Sequence, residues 1–99
     1  MSYLTAFPDA IAAAAGTLQG IGSAVSAQNA AAVAPTTGVV PAAADPVSAM
    51  TATAFVAHAT LHHQVAAQAE AIHELFVSTL GLSSGSYLAA EAANVLTAG

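Results

Sequence analysis

The chain has 99 residues with no cysteine, no lysine and no arginine, and a formal net charge of −5 with histidine neutral. That length makes one domain at most, and the missing cysteines exclude disulfides and thiolate metal sites. The missing cations exclude nucleic-acid binding, because a phosphate backbone would be repelled, and they disfavour anionic membrane surfaces.

Twenty-nine alanines favour helix but bury little area each. A chain this short and this poor in large side chains is expected to complete its core with a partner and to be poorly soluble or molten alone. The opening MSYLTAFPDA has no basic n-region and no continuous apolar run, so it does not read as a secretory signal peptide. No stretch of about 20 strongly apolar residues is expected to span a bilayer, because Ser, Thr, Gln, Asn and His interrupt every window.

Pro8 and Asp9 mark the first helix: proline suits the first helical position and aspartate the positive end of the dipole. Phe7 is a poor cap, and Thr5 is the nearest side chain able to serve. The pattern predicts a helix over about 8–34, weakened only by Gly16, Gly20 and Gly22. PTTGVVPAAADP then holds three prolines in twelve residues and reads as a linker over 35–45. Asp45 caps a second helix with Pro46 in its first position, predicted over 46–80 with Gly81 as its stop. Two helices joined by about ten residues make an antiparallel hairpin over 1–81, and 82–99 read as a flexible tail.

The apolar periodicity is helical. In the first helix Ile11, Ala14, Ala15, Leu18, Ile21, Val25, Ala32 and Val33 share an arc of about 120°. The opposite face, with Ala13, Gly16, Gly20, Ala24, Ala27 and Ala31, is small. In the second helix Val47, Met50, Ala54, Leu61, Val65, Ala69, Ile72, Leu75 and Phe76 form the main stripe, flanked by Phe55 and Leu80. A hairpin buries one stripe per helix, leaving flanks and small faces open. These faces predict an all-α four-helix bundle shared between two chains, this hairpin forming half of it. Ile11, Leu18, Ile21, Val25, Phe55, Leu61, Val65, Ile72 and Phe76 are expected in the packing seams, Phe55 and Phe76 as anchors into the partner. His58, inside the apolar arc, is expected to be buried and neutral. Two readings of Asn29 stand side by side, a buried register device and a residue of a slightly wet seam.

Metal chemistry has two partial motifs. His58 and His62 are one helical turn apart, and Glu70 with His73 makes Glu-x-x-His. The first helix supplies no glutamate to complete such a site, and Glu70, Glu74 and His63 project away from the main stripe. A His/Glu metal-binding bundle therefore stays an alternative reading, with no cofactor expected. No Ser, His and acid arrangement and no phosphate loop stand out, so no catalytic residue is assigned.

The opening MSYLTAFPDAIAAAAGTL, the middle IGSAVSAQNAAAVAPTTGVVPAAADPVSAMTATAF and the tail YLAAE together resemble the PE proteins of mycobacteria over essentially the whole chain. One departure is Pro8–Asp9 in place of the family's Pro-Glu, the same charge on a shorter arm. The resemblance implies a helical hairpin that pairs with a PPE protein in an elongated four-helix bundle. It also implies export by a type VII (ESX) secretion system, from the cytoplasm to the medium or the cell envelope. The signal for that route, Tyr-x-x-x-Asp or Glu after a helix-turn-helix, is matched by Tyr87 and Glu91. An EspG-type chaperone is implied only through the PPE partner. The small secreted Trp-x-Gly hairpins are the nearest rival, but this chain has no Trp and its turn is Pro-rich.

Overall fold

A computed structural model describes residues 4–98; the outer ends of the expected hairpin and tail, residues 1–3 and 99, lie outside the described residues. These residues form two helices, α1 (Pro8–Thr37) and α2 (Pro46–Ala98), and no strand. The start of α2 is built as its cap chemistry requires. Ser48 N–H donates to Asp45 Oδ1 at 2.8 Å, and Ser48 Oγ donates to Asp45 Oδ2 at 2.9 Å. Ala49 N–H reaches the Asp45 carbonyl at 3.1 Å, which makes Asp45 the N-cap. The Ser48 amide holds the Asp45 carboxyl below its ordinary range, the Ser48 hydroxyl adding to the effect.

Both helices run past their expected ends. α1 passes through Pro35 to Thr37 instead of stopping at Ala34. Proline cannot donate to the Ala31 carbonyl there, while Thr36 Oγ1 donates to Ala32 O at 2.6 Å and Thr37 Oγ1 to Val33 O at 2.7 Å, added bonds that hold the last turn. Gly38 N–H closes the turn on Ala34 O at 2.9 Å. The linker is therefore shorter, residues 38–45. α2 continues through Gly81 and Gly85 to Ala98, where a stop at Gly81 and a flexible tail were expected. A glycine inside a helix costs about 1 kcal/mol, and Ala, Leu and Glu downstream propagate the helix again. Contacts from Ser84 and Glu91 back to the start of the chain fix these last turns.

α1 also revises the expectation that no bilayer-length apolar stretch exists. By length and composition alone it is able to cross a membrane, with an 18-residue window of mean hydropathy 1.3 that is 6% buried. Alanine dominates its composition.

The chain divides into two compact units. One comprises the residues up to Gly22 and those from His73 onward. There Ile11, Ala15, Leu18 and Gly22 turn away from solvent, as do His73, Val77, Leu80, Ser84 and Glu91. The other unit is Ser23–Ile72. There Asn29 and Ala32 turn inward with Ala52, Val56, Ala59, His63, Ala66 and Glu70. Steps of three and four residues, and one of seven from Ser84 to Glu91, make each set a heptad-like seam. The seams are thin: the buried residues among those described are Ala15, Ala52, Ala59 and Ser84, and no large side chain is fully buried.

Candidate partner surface and C-terminal segment

Polar groups at heptad positions organise each seam. In the Ser23–Ile72 unit, Asn29 Nδ2 donates to Glu70 Oε1 at 2.6 Å, both residues half-buried. Of the two readings of Asn29, this geometry fits a register device, since a slipped pairing would strand both groups. His63 Nε2 lies 2.8 Å from Thr36 Oγ1. The hydroxyl proton is committed to Ala32 O, so the imidazole donates. In the other unit, His73 Nε2 lies 2.7 Å from Leu18 O, and a carbonyl can only accept, so this ring also carries its proton on Nε2. The ring sits over Gly22, where an added Cβ would come within 2.6 Å of it.

These contacts correct the sequence reading of α2. The main stripe was expected to pack within the hairpin, but Val47, Met50, Leu61, Val65, Ile72, Leu75 and Phe76 are all exposed. The inward face is small and polar instead, the face carrying His63 and Glu70. Alanine and glycine let two backbones approach closely, and each polar group named above finds a partner there, so little is left undone by turning the bulky residues out. Of the expected interface residues, Ile11 and Leu18 are half-buried within the chain. Ile21, Val25, Phe55, Leu61, Val65, Ile72 and Phe76 are open, with Ile72 68% and Phe76 54% exposed. His58, expected to be buried, is exposed.

His58 and His62 instead border a groove of about 380 Å³ lined mainly by apolar groups, among them Ala32, Pro35, Val39 and Phe55. No three His, Asp or Glu residues converge on a metal-binding point among the described residues. In the Glu-x-x-His motif, Glu70 is bonded to Asn29 and His73 to Leu18 O.

At the far end of α2, Tyr87 is 51% exposed, whereas Glu91 is half-buried and its Oε1 accepts the Ala6 N–H at 2.8 Å. One turn separates the two residues along the helix, yet only the phenol is open. The Ser84 contact to Pro8 O and the His73–Gly22 packing were not legible in advance, since each joins residues far apart in the chain.

The described residues define an all-helical hairpin with a thin, partly polar seam and its large apolar residues outside. The family model named PE family matches residues 4–94, and the chain belongs to that family. It is 57% identical over 98 residues to the PE family protein PE13 of Mycobacterium tuberculosis, covering 99% of each chain. It is 51% identical to the PE family protein PE8 of the same species, over 95% of this chain but 34% of that one. Identity to the PE-PGRS family protein PE_PGRS33 is 50%, over 95% of this chain and 19% of the relative. The chain thus spans nearly all of one relative and only a minor part of the longer ones.

Proposed function

We propose that this chain is a non-enzymatic secreted module that pairs with a PPE protein in a four-helix bundle and carries a Tyr-x-x-x-Glu type VII secretion signal at Tyr87 and Glu91. The observation that carries the reading is the unburied apolar surface. The chain exposes 7203 Å² at a mass of 9.5 kDa, where an average folded monomer of that mass exposes roughly 5000 Å². A surplus of roughly 2000 Å² on one chain is the scale that obligate partners cover. Phe55, Leu61, Val65 and Ile72 in one unit and Phe76 in the other are among the large apolar residues on that surface. Neutral and acidic surface with no Lys or Arg suits an apolar protein face better than nucleic acid.

On this reading the pair forms in the cytoplasm, an EspG-type chaperone engages it through the PPE chain, and the ESX machinery exports it to the medium or the cell envelope. Co-expression with a PPE-type protein followed by size-exclusion chromatography tests pairing. Co-elution as a stable heterodimer is expected, and a chain that stays unpaired with every such protein, or floats with liposomes instead, refutes it. Export is tested with Tyr87→Ala in a mycobacterial host, where the pair should form and stay in the cells.

A further inference from the structure

The Glu91 carboxylate already has a partner inside its own chain. It accepts the backbone N–H of Ala6 across 85 residues of sequence, with both groups partly buried. Ala6 lies just ahead of Pro8, where α1 begins, so a negative charge is set against the end of α1 that the dipole favours. At that helix start Phe7 contributes its carbonyl, to Ala10 and Ile11. Two turns before Glu91 on α2, Ser84 Oγ donates to Pro8 O at 2.8 Å. The two contacts bracket Tyr87, which is exposed.

We propose that Glu91 is a positioning residue. Its carboxylate ties the segment before α1 to the last turns of α2, keeps those turns helical and so presents Tyr87, which alone touches the export receptor. This rests on the export reading above and narrows it. The acid is read by its own chain, not by a cation of the machinery.

The test uses the full chain co-expressed with its partner in a mycobacterial host. Glu91→Gln keeps an acceptor oxygen at the same reach and removes the charge. Glu91→Ala removes both. Ala6→Pro removes the donor and leaves Glu91 intact, at a position outside α1. Glu91→Gln should be exported like the parent, while Glu91→Ala and Ala6→Pro should both be lost from the medium. Retained pairing in each variant separates a lost signal from a lost fold. Hydrogen exchange at the Ala6 amide should be about tenfold or more faster in Glu91→Ala than in the parent, as loss of a bond to a charged acceptor implies. Loss of Glu91→Gln from the medium with normal export of Ala6→Pro would overturn the proposal, because the charge would then be what the machinery reads. An unchanged Ala6 exchange rate in Glu91→Ala would equally overturn it. Normal export of Tyr87→Ala would strike the export reading itself, leaving the Glu91–Ala6 tie to be judged by exchange alone.

Discussion

Replacing Gly22 by alanine should destabilise the hairpin, although the same change elsewhere in its helices should stabilise it. An alanine inside a helix gains about 1 kcal/mol over glycine. At Gly22 the new Cβ would lie 2.6 Å from His73 Cδ2 and 2.7 Å from His73 Nε2, about 1 Å inside ordinary contact. The ring must swing away, and its 2.7 Å bond to Leu18 O goes with it. Overpacking of this kind costs about 1–3 kcal/mol and the lost hydrogen bond about 1 kcal/mol. Set against the helix gain, the net loss is about 1–3 kcal/mol, a fall in melting temperature of roughly 5–20 °C for a domain this size. Far-ultraviolet circular dichroism of the partner-bound hairpin during heating measures it. Gly81→Ala is the control, since nothing lies within 4 Å of its added Cβ, and it should raise the melting temperature. In a His73→Ala background Gly22→Ala should become stabilising too. If Gly22→Ala raises the melting temperature as much as Gly81→Ala does, the ring does not pack where the geometry puts it.

Three further outcomes are expected. Phe76→Ala should leave the helicity of the hairpin unchanged, because the ring is open in this chain, yet weaken the complex by about 3–5 kcal/mol if the partner fully covers it; titration calorimetry reads the difference. Asn29→Ala should cost about 1–3 kcal/mol by leaving the Glu70 carboxylate half-buried without its amide partner, measured by thermal melting. Because the folded state lowers the Asp45 pKa, its cap contributes fully above the ordinary aspartate value of about 3.9. That contribution should be lost as pH falls through the lowered value; helicity followed through an acid titration should lose this component in Asp45→Asn, whose amide oxygen still caps.

What the sequence disclosed was mostly local chemistry. Asp45, Pro46 and Ser48 lie within one turn, so the start of α2 could be read from three residues within a four-residue stretch. The ends of both helices could not, because the turn after Pro35 is held by the hydroxyls of Thr36 and Thr37 and Gly81 is overridden by contacts reaching to Pro8 and Ala6. Periodicity found the apolar stripe of α2 but not its direction. Hydrophobic periodicity marks an apolar face, and it carries no label for whether the second helix of the same chain covers it. The seam inside the hairpin hid in plain residues, Ala52, Ala59 and Ala66, and in the polar positions His63 and Glu70 that looked like solvent-facing filler. Glu91 was visible as half of a motif, while its bond to Ala6 spans the length of the chain.

The outward turn of the bulky side chains has an evolutionary consequence. The residues that close the hairpin and the large apolar residues left open occupy different faces of the same helix. With the pairing proposed above, exchanging Leu61, Val65 or Ile72 for other apolar shapes would redraw the docking surface while Asn29, Glu70 and the alanines beside them keep their pairing. Duplicated copies of such a hairpin can therefore diverge in partner choice without first losing the ability to fold, each copy drifting on its outer face while its inner face stays fixed.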